Sequence, residues 1–226
     1  MIRLERFEVL QRIMRQDDVT ELSIPTWDLV SEAIKAGKAE EALEYHEYSR
    51  SESERNNNTL VSFIEGGLTY LANCFGEEEV EKVLRQRYYP VVQEWLEATP
   101  GVEETLLRST ESQRGHHANF TVKEEPDRYV VTYDPCGTGG RLRRTRSVGT
   151  TKKVYPWAWN ESGVPYYCCH CFLKWEKFPI ELRGYPLRIN LRGAKPEDPC
   201  VHVFYKKPEL IPEEYFTRIG MTKTIK

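Results

Sequence analysis

The first half of the chain spaces its apolar residues with the period of a helix. Val30, Ala33, Ile34 and Gly37 follow the i, i+3, i+4, i+7 pattern, which predicts an amphipathic helix. A longer stripe follows the run 56–58, three asparagines that are typical helix caps. Its members are Leu60, Phe63, Ile64, Gly67, Leu68, Leu71 and Phe75. We expect this helix to begin after the asparagines and to end at Gly76.

A further helix is expected beyond Gly76. Glu77 to Glu79 suit its first turn, because carboxylates complement the positive end of the helix dipole. Pro90 lacks the amide proton that a helix interior needs, so it should kink or stop this helix after Tyr89. A short continuation would begin at Val91.

Past about Arg114 the apolar period changes from 3.6 to 2, which is typical of strands. The expected strands lie around 120–122, 129–133, 187–191 and 201–205, with a hairpin turn at 125–127 and a helix at 166–177 after Pro165. The sequence therefore predicts an α+β fold, with a helical N-terminal half packed on a mainly antiparallel C-terminal sheet that has an inserted helix. We expect a helical region 1–113 and a Cys/His-containing region 114–226, together forming one compact unit.

Composition narrows the functional classes. The chain has 226 residues, of which 39% are hydrophobic, so it can bury a substantial core. It has no stretch of roughly 18 uncharged apolar residues and no signal-like N-terminus, so we expect a cytoplasmic protein with no membrane partner. A net charge of −3 gives no overall attraction to nucleic acid, which we do not expect as a partner. The pattern does not predict an oligomeric state.

The cysteines carry the clearest chemical signal. Three of the six fall in Cys168-Cys169-His170-Cys171, too clustered for a secreted disulfide scaffold. On a helix, Cys168 and Cys171 share one face and could supply two soft ligands of a zinc site. The other ligands would come from elsewhere: Cys136, and one of His116, His117 or His170.

We assign His117 as the zinc ligand and His116 to proton transfer, although the reverse assignment stays open. A Cys-x-x-Cys pair is also used in thiol redox chemistry, and free cysteines are often simply small buried hydrophobes. The redox motif normally follows a strand, whereas an aromatic loop, 155–159, precedes it here. Metal binding is therefore the leading interpretation.

A glycine-rich loop follows the strand predicted at 129–133. It runs Asp134-Pro135-Cys136-Gly137-Thr138-Gly139-Gly140-Arg141, and its amides could form a nest for a substrate anion. Arg141 or Arg143 could close over the same charge. Trp157 and Tyr167 belong to an aromatic group that could line the pocket, and a glycine-rich turn without a ligand is the alternative.

Three further residues are placed by pattern alone. Cys200 and His202 share one face of the last strand, so Cys200 is a secondary ligand candidate. Cys74 lies in the long helix and should be structural. His46 would lie on the apolar side of its helix with Ala39 and Leu43.

The order of elements from Phe120 to Tyr205 resembles the L-2-amino-thiazoline-4-carboxylic acid hydrolase family and, more distantly, the vinyl-4-reductase domain. The resemblance rests on a cysteine-bearing β region, a second cysteine segment with aromatic neighbours, and a late segment from Gly193 through Cys200 to Phe204. The segments 134–140 and 166–171 depart from the pattern of either family. The resemblance implies a small-molecule pocket bounded by cysteines.

These observations lead to one leading hypothesis: a zinc-dependent hydrolase or lyase that acts on a small, carboxylate-bearing substrate. Cys136, Cys168, Cys171 and His117 would hold the zinc. Asp134, His116 and His170 would move protons. The substrate would contact residues of the glycine loop and the aromatic group, namely Gly137, Thr138, Gly139, Gly140, Arg141, Trp157 and Tyr167. A ligand-binding sensor or accessory protein with structural zinc is the first alternative, and a thiol redox protein is the second.

Overall fold

A computed structural model of the chain describes residues 4–98 and 100–225. It confirms the α+β class, with a helical N-terminal half and a four-stranded antiparallel sheet in the C-terminal half. The chain divides into two compact units, Met1–Asn57 and Asn58–Lys226. None of the helices in the described part of the chain is long and apolar enough to span a lipid bilayer.

The first unit contains a hairpin that the sequence pattern did not predict. Strands β1 (Leu4–Phe7) and β2 (Arg12–Arg15) pair antiparallel. Helix α1 (Thr26–Lys35) follows, as the first apolar stripe predicted. Helix α2 (Ala39–Phe75) begins in this unit and ends in the second.

Helix α2 departs from the sequence prediction in two ways. It is continuous through residues 56–58, so the asparagines do not cap a new helix. Beyond the asparagines, its buried positions are Val61, Glu65, Leu68 and Ala72. Most of the predicted stripe is instead exposed, with Phe63 81% exposed. The spacing of apolar residues did not reveal this face because it includes Glu65. The Glu65 carboxylate accepts a hydrogen bond from the Gly149 amide at 2.8 Å.

Two minor expectations for the same helix are also wrong. His46, Leu43 and Ala39 are exposed, so His46 does not lie on a buried side of α2. Cys74 lies in the helix as expected but is exposed, so it is no part of the packed interior.

The second unit continues with helices α3 (Glu78–Glu97) and α4 (Val102–Gly115). Pro90 lies inside α3, so it does not stop the helix, which was one of the two expected outcomes. Buried side chains on both sides of it, Leu84 before and Val92 and Trp95 after, hold the helix in place, so tertiary packing outweighs the missing hydrogen bond.

The sheet has the strand order β3-β4-β6-β5, and every neighbouring pair is antiparallel. Its strands are β3 (Phe120–Glu124), β4 (Arg128–Tyr133), β5 (Ile189–Leu191) and β6 (Cys200–Tyr205). The predicted hairpin between the first two is confirmed. A short helix, α5 (Gly139–Thr145), follows β4 within the glycine-rich loop.

The predicted inserted helix is present and has four segments, which we call the composite helix. These are a 3₁₀ turn (Tyr166–Cys168), α6 (Cys169–Phe172), a π-helical turn (Leu173–Lys177) and α7 (Phe178–Arg183). Pro179 has no amide proton to donate to the Trp175 carbonyl four residues back. That carbonyl instead accepts the Leu187 amide at 2.9 Å, which connects the helix to the segment leading into β5.

A buried carboxylate joins the composite helix to its neighbours. Glu176 is fully buried and accepts hydrogen bonds from the Trp159 indole at 3.1 Å and from the Asn190 amide at 2.9 Å. Arg218, just after α8 (Glu214–Thr217), pairs with the same carboxylate at 2.5 Å. These contacts fix Trp159 and Asn190, which both line the cavity described next.

Candidate metal centre

Four cysteines from three separate segments line one cavity of about 30 Å³. Cys136 comes from the glycine-rich loop, Cys168 and Cys171 from the start of the composite helix, and Cys200 from the first position of β6. Two histidines line the same cavity, His170 and His202. The remaining wall is formed by Gln113, Thr138, Gly139, Trp159, Tyr167, Asn190, Leu191 and Arg192.

The glycine-rich loop wraps around the Cys136 sulfur. The Gly140 amide donates to Cys136 Sγ at 2.9 Å, and Thr138 Oγ1 lies 3.9 Å from the same atom. A Cβ on Gly140 would lie 2.9 Å from this sulfur, so only glycine allows the approach. The loop amide therefore donates to the Cys136 sulfur of the protein itself rather than to a substrate anion.

Cys136 and Cys200 form a hydrogen-bonded pair with opposite acidities. The bond from Cys200, together with the Thr138 and Gly140 amides, lowers the pKa of Cys136, although burial opposes the shift. The same bond, reinforced by burial, raises the pKa of Cys200. Cys136 is therefore the thiolate of the pair and Cys200 the neutral donor.

The other two cavity thiols are neutral in the ion-free chain. Burial raises the pKa of Cys168 to about 12 and that of Cys171 to about 11. The position of the Cys168 sulfur also requires a glycine at 139, because a Cβ on that residue would lie 2.8 Å from the sulfur. Cys169 does not line the cavity, and its thiol donates instead to the Pro165 carbonyl at 3.5 Å.

His170 has a fixed tautomer. Its Nδ1 hydrogen-bonds the Tyr167 carbonyl. Since a carbonyl only accepts, Nδ1 carries the proton, and Nε2 is the acceptor for the neutral Cys171 thiol. Burial lowers the pKa of His170 to about 4, so the ring is neutral near pH 7. Nε2 lies 3.5 Å from Cys171 Sγ, a position from which it can accept a proton or bind a metal.

His202 has a buried atom that needs a partner. It is only 4% exposed, and its Nδ1 makes no hydrogen bond within the described residues. Burial holds the pKa of His202 well below its usual value, so this ring too is neutral. A buried, unpaired ring nitrogen is costly unless something binds it.

Positive charges surround the cavity. Those of Arg143 and Arg192 favour the thiolate form of Cys168, and that of Arg188 favours the thiolate form of Cys171. A zinc ion with four thiolates has a net charge of −2, so these guanidinium groups would compensate it. The donor set therefore fits a soft metal ion in both ligand type and charge.

Among the predicted ligands, the structure brings together Cys136, Cys168 and Cys171 but not His117. His117 lies at a left-handed position, φ 55°, and is not part of the cavity wall. Its neighbour His116, at the end of α4, is also outside the wall, and burial lowers its pKa. His170, predicted as a proton carrier, does line the cavity.

The other predicted site residues are divided between the cavity and its surroundings. Thr138, Gly139 and Tyr167 line the cavity, while Gly137 and Gly140 belong to the loop behind it. Asp134 forms an ion pair with Arg144 and is largely exposed. Arg141 bonds Asn58 and the His117 carbonyl. Trp157 is buried and stacks on Tyr155, with ring centroids 4.7 Å apart.

Two residues matter more than the sequence suggested. Cys200 and His202 both line the cavity, and their shared position on one face of β6 was the available signal. Within residues 4–98 and 100–225, no three Cys, His, Asp or Glu side chains already converge on one point as metal ligands do. Binding an ion would therefore require the thiols to rotate toward it.

No protein-family model, curated protein or solved structure matches the chain. The resemblance to the thiazoline-carboxylate hydrolase family stays a prediction, and the function rests on the geometry of the cavity.

Proposed function

We propose that this protein binds one zinc ion in the cavity through Cys136, Cys168, Cys171 and Cys200. The observation that supports this is that four cysteines from three chain segments line one space of about 30 Å³. That space suits one ion or one to two water molecules. Four thiolates are a typical donor set for zinc.

A zinc ion bound by four thiolates has no open position, so its role would be to organise the fold. The best-supported function is then the ligand-binding or accessory protein, with zinc holding together the glycine loop, the composite helix and β6. All six cysteines are free thiols, and a cytoplasmic location, where thiols stay reduced, is part of the same proposal.

A zinc-dependent hydrolase or lyase acting on a small carboxylate is the second candidate, and the neutral His170 favours it. If only Cys136, Cys168 and Cys171 bind, the fourth position is left for chemistry, and zinc would polarise a carbonyl group or activate water. His170 Nε2 could then receive a proton near the Cys171 sulfur, 3.5 Å away. In this case Cys200 serves only to stabilise the Cys136 thiolate.

Metal analysis of the full chain, purified without added zinc, tests the proposal. We expect about one zinc per chain in the wild type, as four-thiolate sites bind tightly. The Cys→Ser variants at 136, 168, 171 and 200 should each lose most of it. Cys74→Ser on the exposed side of α2 and Cys169→Ser, whose thiol points at Pro165, are the matched controls and should retain the ion.

Cys200→Ser separates the two candidates. Loss of zinc equal to that of Cys168→Ser supports the closed centre, and full retention supports the open one. A metal-free wild type with a reversible Cys168–Cys171 disulfide, detected by mass spectrometry without reductant, would overturn both and favour redox chemistry.

A further inference from the structure

An arginine-lined groove lies beside the zinc cavity and is distinct from it. Its volume is about 600 Å³, within the range of small-molecule sites. Four arginines line it, Arg143, Arg144, Arg146 and Arg192, and no acidic residue does. Of these only Arg192 also lines the zinc cavity.

Arg143 is the residue that points to a ligand. It is 8% exposed, and its Nη1 donates to the Gly193 carbonyl at 3.0 Å. Its Nε and Nη2 are buried without a hydrogen-bond partner in the described part of the chain. These two atoms form one edge of the guanidinium group, whose parallel N–H bonds match two oxygens of a carboxylate or phosphate.

Leaving both donors of this edge unpaired is unfavourable, since buried polar groups are nearly always hydrogen-bonded. The edge is shielded from solvent, and Arg143 is one of the residues that line the groove. Arg192 adds a second buried, unpaired Nε at the same wall.

The charge of the groove indicates which oxyanion fits. Arg144 is paired with Asp134, and Arg192 with Glu161. Arg143 and Arg146 have no carboxylate partner among the described residues; Arg146 bonds only the Ser62 hydroxyl. Two positive charges without a carboxylate partner match a phosphate monoester, whose charge at pH 7 is about −1.5 to −2, better than a single carboxylate.

We propose that this groove binds the phosphate group of a small phosphate monoester, with the free edge of Arg143 and the side chain of Arg146 as the contacts that select it. Ser147 and Thr150 line the same groove, and their hydroxyl groups could donate to the remaining oxygens. Arg143 lines the groove, and its charge also acts on Cys168 of the cavity.

Calorimetric titration of the full-length chain with phenyl phosphate tests this proposal, with benzoate as the monocarboxylate of similar size. We expect phenyl phosphate to bind about tenfold or more tightly than benzoate. Arg143→Gln and Arg146→Gln should each weaken binding by about 10- to 100-fold, as expected for the loss of a charge-assisted contact. Arg50→Gln removes the same charge from an exposed site on α2 and should leave binding unchanged.

Arg143→Lys keeps the charge and removes the two-pronged edge. It should weaken phenyl phosphate binding by about tenfold while its thermal unfolding matches that of the wild type. If Arg143→Gln fails to fold, Arg143→Lys and Arg146→Gln still decide the question. Three outcomes would overturn the proposal. The first is that Arg143→Lys binds phenyl phosphate as tightly as the wild type does, and the second is that the wild type binds benzoate as tightly as phenyl phosphate. The third is that the chain binds a single-stranded oligonucleotide but not phenyl phosphate.

Discussion

Gly139 and Gly140 determine how closely the backbone can approach two of the four cavity sulfurs. A Cβ on either residue would lie within 3 Å of a sulfur, that of Cys168 or that of Cys136. We predict that Gly139→Ala and Gly140→Ala each lower zinc affinity by about tenfold or more, since overpacking of this kind costs about 1–3 kcal/mol. Competition with a chromogenic chelator would measure the change.

Gly66→Ala is the matched control for these substitutions. Gly66 lies inside α2, and a Cβ there would meet nothing within 4 Å. Alanine should therefore leave zinc binding unchanged and stabilise the chain by about 0.4–1 kcal/mol. Wild-type zinc affinity in both glycine-loop variants would contradict the role given to the loop.

The sequence predicts a single site residue correctly where its side-chain chemistry is enough to identify it. Cys136, Cys168 and Cys171 were selected because soft ligands are rare and conspicuous, and they line the cavity. His117 was chosen over His202 although the pattern placed His202 beside Cys200 on one face. The choice depended on which histidine is buried with an unpaired nitrogen, and residue type and spacing do not determine that.

At the scale of elements, Glu176 connects the π-helical turn of the composite helix to β5 through a hydrogen bond with Asn190 and to Arg218 through an ion pair. We predict that Glu176→Gln destabilises the chain by about 2–4 kcal/mol, because its new amide protons would face the guanidinium group of Arg218 and the charge pair would be lost. Chemical denaturation at pH 7 would measure the free energy of unfolding.

Glu181→Gln is a control from the same composite helix. Glu181 pairs with Arg85 at 2.9 Å, but both side chains are partly exposed, 25% and 36%. This change should cost about 1 kcal/mol or less. Equal effects of the two substitutions would show that the buried network adds nothing beyond a surface ion pair.

Glu77 joins the start of α3 to the loop before the composite helix. Its carboxylate accepts the Tyr166 hydroxyl at 2.5 Å and the Lys152 amide at 2.7 Å. Burial alone would raise the pKa of Glu77, but these hydrogen bonds lower it below its usual value of 4.5. The stabilisation is therefore fully present above about pH 4.5 and is lost as the pH falls through the folded-state pKa.

We predict that Glu77→Gln lowers stability at pH 7 by about 1–3 kcal/mol, as expected for a weakened buried acceptor. The difference from the wild type should shrink as the pH is lowered below about 4.5, where the wild-type carboxyl becomes protonated. Denaturation curves between pH 3 and pH 7 would show this, and a difference independent of pH would contradict the assignment.

Element types were easier to predict than the faces that elements bury. The alternation of apolar and polar residues correctly predicted the β3–β4 hairpin and the last strand, because this alternation is specific to strands. Helix α2 was found, but its buried face was misplaced, since Glu65 is held in the interior by hydrogen bonds to Gly149 and Thr69. Hydrophobicity alone does not reveal a buried polar side chain, one of whose partners, Gly149, lies 84 residues away in the chain.

At the scale of the whole chain, strand order explains why distant cysteines meet. Tyr133 at the end of β4 pairs with Cys200 at the start of β6, so Cys136, three residues farther along, arrives beside Cys200. The period of two predicts each strand but not which strands are neighbours. Convergence of Cys136 with Cys200 was therefore open until the register was known, whereas Cys168 and Cys171 were a pair from local spacing.

The location of the cavity within the chain yields a last prediction. Every residue that lines it, from Gln113 to His202, belongs to the unit Asn58–Lys226. So do Glu77, Glu176 and the arginines of the groove. A fragment of residues 58–226 should therefore fold cooperatively and bind about one zinc.

Metal analysis and chemical denaturation of this fragment would check that expectation. The same fragment with Cys136→Ser is the control, and it should fold less stably and lose the ion, since structural zinc contributes to folding free energy. If residues 58–226 unfold without a cooperative transition while the full-length chain retains both its fold and its zinc, the first unit is required for the centre. The centre would then be a property of the whole chain, although none of its wall residues lies before Asn58.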